Sequence, residues 1–164
     1  MPHRVYVGLG SNLGDRKANL REAEERLAQL PSTRVVKASS LYESEPHGDA
    51  KTWFINNVIE LETDLEPEEL LKRTRAIEAA MGRKRVKGKR WGSRIIDIDL
   101  LLVENQTVNK KNLKIPHPEM HKRRFVLMPL AELAPHVTHP HLGTSMSELL
   151  GGLKDLKKVM LTRP

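Results

Sequence analysis

Not one of the 164 residues is cysteine, which excludes disulfides and thiolate metal sites together. A cysteine-free chain fits a reducing cytoplasm, and that is the expected location. No apolar run approaches the ~20 residues that would span a bilayer, and no long apolar signal segment opens the chain. No membrane partner is expected. Aromatic residues are scarce, at 4%, so the positions of Trp53, Phe54, Trp91 and Phe125 carry weight. Acidic residues are missing where basic ones are densest. Residues 83–94 hold seven of the 28 Lys and Arg and none of the 21 Asp and Glu. Elsewhere the charges balance, so the formal +7 sits in one loop. Proteins that coat long nucleic acid spread basic residues over a face, whereas one loop suits a compact polyanion such as a nucleoside triphosphate. Small molecules, and not nucleic acid, are the expected partners. Oligomeric state is not readable, and a monomer is the default.

What is present is concentrated just after that loop. Asp97-Ile98-Asp99 lies within the apolar run from Arg94 to Val103, which reads as a buried strand. Strand side chains alternate in facing, so both carboxylates project from the same side. Two neighbouring anions repel, and burying them unpaired costs several kcal/mol or raises one pKa strongly. A hard divalent cation with oxygen ligands satisfies such a pair. Taken alone, the pair also fits a solvated edge or an arginine partner. A cationic run alone also fits a solvated loop. Their adjacency favours a site for a phosphorylated nucleotide.

Length and composition fit a single domain, 1–164, large enough for its own core. Val5–Leu9 reads as a strand, and Leu20, Ala23, Leu27 and Leu30 mark a helix ending near Pro31. Val35–Tyr42 and Phe54–Leu61 read as strands joined by a polar loop. Pro67 opens a second helix with an inner stripe of Leu70, Thr74, Ile77 and Met81, and Gly82 ends it. After the dyad strand, Val126–Ala134 predicts a helix interrupted by Pro129, and Ser145–Leu153 another. Strand, helix, strand, strand, helix, strand is the ferredoxin-like α+β order, βαββαβ with an antiparallel sheet, here with a C-terminal extension.

Other groupings read more plainly. Gly8, Gly10 and Gly14 lack the spacing of a dinucleotide or P-loop fingerprint, and predict a tight turn near Asn12 and Asp15. His136, His139 and His141 lie between prolines and predict a polar surface turn. His117, in the stiff segment Ile115-Pro116-His117-Pro118, stands shortly before Arg123 and Arg124, where imidazole and guanidinium suit phosphate.

Read in order, several segments form a series. It begins with Gly8-Leu-Gly-Ser-Asn-Leu-Gly-Asp15, Ser39-Ser-Leu-Tyr42 and Phe54-Ile-Asn56. Arg90-Trp-Gly-Ser-Arg-Ile-Ile-Asp-Ile-Asp-Leu-Leu-Leu102, Ile115-Pro-His117, Arg123-Arg-Phe-Val-Leu-Met-Pro-Leu130 and Leu133-Ala-Pro135 complete it. The series resembles the 6-hydroxymethyl-7,8-dihydropterin pyrophosphokinases of folate biosynthesis. The resemblance implies transfer of diphosphate from ATP to the hydroxymethyl oxygen of the pterin, with release of AMP. It implies two Mg2+ ions held by Asp97 and Asp99. It places Glu78, Arg90, Trp91, Arg94, His117 and Arg123 on the ATP side, with Arg83 and Arg94 clamping phosphates. On the pterin side it places Phe54 and Phe125 as an aromatic sandwich, with Asn56 and the loop from Ser44 to Gly48, Ser44 and Pro46 included, bonding the ring edge. The chain departs from the commonest pattern at Ser44–Gly48, at Asn112-Leu113-Lys114 and at Pro118. Two other classes stay open on residues alone: an RNA-binding module of ferredoxin-like shape, and a metal-dependent phosphohydrolase.

Overall fold

A computed structural model describes residues 2–46, 51–82 and 94–162. Its elements run His3–Ser11 (β1), Arg16–Ala28 (α1), Thr33–Ala38 (β2), Tyr42–Ser44 (β3), Phe54–Thr63 (β4) and Pro67–Ala80 (α2). They continue through Asp97–Val103 (β5), Val108–Lys110 (β6), Leu113–Ile115 (β7), Arg124–Leu133 (α3), Met146–Gly151 (α4) and Val159–Leu161 (β8). The main sheet is ordered β5-β1-β4-β3-β8, with β2 also pairing β4, and every pairing is antiparallel. This is the expected ferredoxin-like arrangement.

Alternation explains the layers. Along β1, Val5, Val7 and Leu9 join Ile55, Ile59 and Leu61 of β4 in one apolar cluster with Leu20, Ala23 and Leu27 of α1. The stripe Leu70, Ile77 and Met81 places α2 in that same cluster. Tyr6, Val58, Leu101 and Leu102 face the other way, against Val126, Leu127 and Leu130 of α3 and Met146 of α4. The sheet is thus covered on one side by α1 and α2 and on the other, in part, by α3 and α4. Helix starts are conventional: the Asp15 carboxylate accepts from Ala18 N at 3.1 Å, and Ser145 and Glu148 form a reciprocal capping box.

Several expectations need correction. The strand expected over Val35–Tyr42 is split into β2 and β3. Between them Ser39 bridges the ladder: its N–H donates to Val58 O and its Oγ accepts from Val58 N, both at 2.9 Å. The polar loop therefore begins after Ser44, because Tyr42–Ser44 is strand. Pro129 does not interrupt α3. It forgoes one N–H···O=C bond, to Phe125, while Val126, Leu127, Pro129 and Leu130 are all buried against the sheet. The hairpin of β6 and β7 and the strand β8 had no predicted counterpart. Each is three residues long, too short to show periodicity. Among the described residues no helix is long and apolar enough to cross a membrane.

Candidate functional site

On the sheet face that α3 leaves partly uncovered, three strands line an open cavity, with Leu9 and Asn57 among its lining residues. Asp97, Asp99 and Leu101 come from β5, Gly8 and Gly10 from β1, and Phe54, Asn56 and Val58 from β4. Arg94, Arg123, Phe125 and Val126 complete the wall. The register sets the spacing across the floor: Gly10 pairs with Asp97 on one side and Asn56 on the other, and Gly8 pairs with Asp99 and Val58. The two glycines are therefore floor within β1 and not the predicted turn. A Cβ on Gly10 would lie 2.8 Å from Asn56 Nδ2, and one on Gly8 would lie 3.3 Å from a Leu101 methyl. Only the third glycine of the motif sits in the turn, with Gly14 at φ +74°.

The dyad strand begins at Asp97, three residues later than expected, and its carboxylate face is open. Asp97 is half-buried and Asp99 exposed, whereas Ile98 and Leu100–Val103 are buried. The penalty for fully burying two anions does not arise, because that face borders a cavity. Among the described residues, Arg94 Nη1 donates to Asp97 Oδ1 at 2.9 Å.

Among the described strands β5 pairs with β1 alone, so its outer edge needs other partners. The buried carboxylate of Glu78, on α2, accepts from Ile98 N at 2.9 Å, directly between the two aspartates. Lower on the same edge, His117 N donates to Leu101 O at 2.8 Å. These two contacts bring Glu78 and His117 to a second, open cavity, which meets the first at Asp99. Leu71, Ile98, Leu100, Leu113 and Pro118 supply its apolar lining. Arg75, Lys111, Asn112 and Lys114 join Glu78 and His117 as its polar groups. The β6–β7 hairpin delivers Lys111, Asn112 and Lys114, and its turn is what sequence periodicity missed. Arg75 was missed as well, although it lies one helical turn before Glu78.

His117 Nδ1 accepts from Glu119 N at 3.1 Å, so the ring proton belongs on Nε2. Burial, with the Arg123 guanidinium nearby, holds this imidazole below the ordinary histidine range, and it is neutral at pH 7. Arg123 also stacks over Phe125, 5.7 Å from the ring centroid. Ser44 reaches the site through Asn56, its Oγ donating to Asn56 Oδ1 at 2.5 Å. That bond fixes the amide so that Nδ2 faces Gly10. Pro46 lines neither cavity, and its carbonyl accepts from Lys157 at 3.4 Å. Arg83, Arg90 and Trp91 lie outside the described residues.

Of the late histidines, His136 and His141 are exposed in turns, as expected. His139 departs from that reading: it is buried, and its Nδ1 accepts from His141 N and Leu142 N. The rings of His121 and His141 lie 5.7 and 5.9 Å from it.

A ferredoxin-like sheet that presents paired carboxylates between a flat aromatic-lined cavity and a cationic cleft defines a group-transfer domain for two small substrates. Residues 6–135 match the family described as 7,8-dihydro-6-hydroxymethylpterin-pyrophosphokinase (HPPK), and the chain belongs to that family. It is 47% identical over 133 residues to the 2-amino-4-hydroxy-6-hydroxymethyldihydropteridine pyrophosphokinase of Methylorubrum extorquens, covering 80% of this chain and 83% of that one. To the protein of the same name from Pseudomonas aeruginosa it is 44% identical, covering 92% and 91%. Its fold is similar to Plasmodium falciparum HPPK-DHPS, with a TM-score of 0.73 at 15% identity. That match covers 92% of this chain but only 43% of the longer structure.

Proposed function

We infer that this chain is a pyrophosphokinase of folate biosynthesis. It moves the terminal diphosphate of ATP onto the hydroxymethyl oxygen of 6-hydroxymethyl-7,8-dihydropterin and leaves AMP. The observation that carries this reading is the meeting of the two cavities at the Asp97–Asp99 face. The flat pterin suits the first cavity, between Phe54 and Phe125, with the Asn56 amide as the fixed polar group at the ring edge. Ser44 acts there through Asn56, and Pro46 belongs to the loop beside it. The nucleotide suits the second cavity, where apolar walls take a base and Glu78, His117 and the lysines border the phosphates. Arg94 and Arg123 stand on the first cavity's wall, so their charges face phosphate as it approaches the acceptor. Arg83, Arg90 and Trp91 join the nucleotide side by motif.

The donor set fits magnesium. Asp97 and Asp99 offer hard oxygen ligands from one strand face, and no group of three or more His, Cys, Asp or Glu able to hold a metal occurs among the described residues. Magnesium commonly uses one or two carboxylates and takes its remaining ligands from water and substrate phosphates. Asp97 and Asp99 would hold it, and two ions is the number the family resemblance implies. When bound there it supplies neutralisation of phosphate charge. The residues themselves supply position. Asn56 and the aromatic pair hold the acceptor oxygen toward the dyad, and the arginines hold the β-phosphorus before it. The new bond joins that oxygen to the β-phosphorus, and the hydroxyl proton passes to water. The bond broken is the one from the β-phosphorus to the oxygen it shares with the α-phosphorus, and AMP keeps that oxygen.

Incubation with ATP, magnesium and the hydroxymethyl dihydropterin is expected to yield AMP and the pterin diphosphate. Asp97→Ala and Asp99→Ala are each expected to lower the rate at least ~100-fold, the scale of losing electrostatic stabilisation at a reacting centre. Adding a chelator in place of magnesium is expected to abolish it. No AMP above background at saturating substrates overturns the reading.

A further inference from the structure

Asn12 is buried at 2% exposure, follows the end of β1, and lines neither of the two cavities. Four hydrogen bonds leave it, two to each of two distant segments. Its N–H donates to Arg94 O at 3.0 Å and its Oδ1 accepts from Arg94 N at 2.6 Å. Its carbonyl accepts from Thr52 Oγ1 at 2.6 Å, and its Nδ2 donates to Thr52 O at 3.4 Å. Arg94 carries the guanidinium that bonds Asp97, while Thr52 stands two residues before Phe54. The turn bearing Asn12 is itself braced. Asn19 Nδ2 donates to Ser11 Oγ and Leu13 O, and Arg16 bonds Trp53 O and Glu43 Oε1.

We propose that Asn12 is a positioning residue that couples the two substrate sites, because one buried amide fixes the backbone of both Arg94 and Thr52. Neither segment can shift without breaking a bond to the same residue. A nucleotide that holds Arg94 in place thereby also holds the entry to Phe54, and a pterin against Phe54 holds Arg94. Coupling of this kind is reciprocal, each ligand changing the other's affinity by one common factor. This rests on the two-cavity assignment above. Formation of AMP and pterin diphosphate by the unaltered protein tests that assignment separately.

The experiment measures the dissociation constant of the pterin with and without a non-hydrolysable ATP analogue and magnesium. The ratio of the two values is the coupling factor, expected to be about tenfold or more in the unaltered protein. Asn12→Ala is expected to bring the ratio near one. Asn12→Asp, which keeps the oxygen facing Arg94 N, is expected to restore most of it. A residue that only supports the fold would lower melting temperature and weaken both ligands while leaving the ratio in place. Thr52→Val keeps the side-chain shape and removes only the hydroxyl bond to Asn12. It is expected to lower the ratio, and it decides the matter if Asn12→Ala does not fold. A ratio near one in the unaltered protein, an unchanged ratio in Asn12→Ala or Thr52→Val, or no rescue by Asn12→Asp overturns the proposal.

Discussion

Gly10→Ala separates binding from stability more sharply than any other single change to this site. The added Cβ would stand 2.8 Å from Asn56 Nδ2, closer than such atoms approach in real proteins. The obstructing atom is the end of a side chain, so the fold can yield by turning the Asn56 amide away. Turning it breaks the bond from Ser44 Oγ, which contributes about 1 kcal/mol. Against this, replacing glycine by alanine reduces the freedom of the unfolded chain and gains about 0.4–1 kcal/mol. The two nearly cancel. With about 2–4 °C of melting temperature per kcal/mol at this chain length, the shift should stay within ~4 °C. The acceptor side behaves differently, because the displaced amide is the polar group proposed to fix the pterin edge. Losing one such contact in a closed site amounts to about 1.4–2.8 kcal/mol, or roughly 10- to 100-fold in pterin affinity. Calorimetric melting, paired with AMP release titrated against pterin and then against ATP, reads both sides. The KM for pterin should rise by that factor while the KM for ATP stays within about twofold. Gly8→Ala is the control. Its Cβ meets the Leu101 side chain at 3.3 to 3.5 Å and leaves the Asn56 amide in place, so the pterin KM should rise less than in Gly10→Ala. Equal effects from the two alanines, or a normal pterin KM for Gly10→Ala, would refute the reasoning.

Other changes address the dyad's supports and the buried histidine. Glu78→Ala leaves Ile98 N–H buried without its acceptor and should cost about 1–3 kcal/mol together with most of the turnover, while Glu78→Gln keeps an oxygen there and should retain more of both; melting and AMP release on the pair check this. Arg94→Ala should slow turnover by at least about tenfold with a smaller effect on pterin binding, measured as kcat against KM. Burial, then the neighbouring His121 and His141, hold His139 below the ordinary imidazole range. Above that range neither folded nor unfolded chain is protonated there, so His139 gives no pH dependence. As pH falls below about 6.5 the unfolded chain takes up the proton first, and stability drops until the lower folded value is passed. Melting temperatures measured from about pH 7.5 down to about pH 5 should therefore fall less steeply in His139→Gln than in the unaltered protein.

The parts of this molecule legible in sequence are those where a local pattern and a long-range contact demand the same thing. The stripe of α2 and the shared facing of Asp97 and Asp99 follow from spacing alone. Ser39 shows the limit. A serine inside an apolar run looks like an ordinary strand residue, yet here its hydroxyl replaces a ladder bond and divides one strand into two. Pro129 shows the opposite failure, since a strong local signal for interruption is overridden by burial against the sheet. Gly8 and Gly10 were misread for a third reason. Glycine in a strand marks either a turn or a close approach, and only the register with β4 and β5 identifies what approaches.

That register also explains why the dyad belongs on β5 and not on the better protected β1 or β4. An interior strand has all its backbone groups taken by neighbours, so a helix or loop can reach it only through side chains. A strand with one open edge among the described residues has amides and carbonyls to offer, and here they attach Glu78 and the His117 segment beside the two aspartates. Glu78 takes the Ile98 amide between the aspartates, and His117 donates its own amide to the Leu101 carbonyl. Position 101 is where the pairing with β1 slips, Tyr6 opposing Leu102 and Val7 opposing Leu100. The extra residue falls where the His117 segment docks, two positions after Asp99, the residue that lines both cavities.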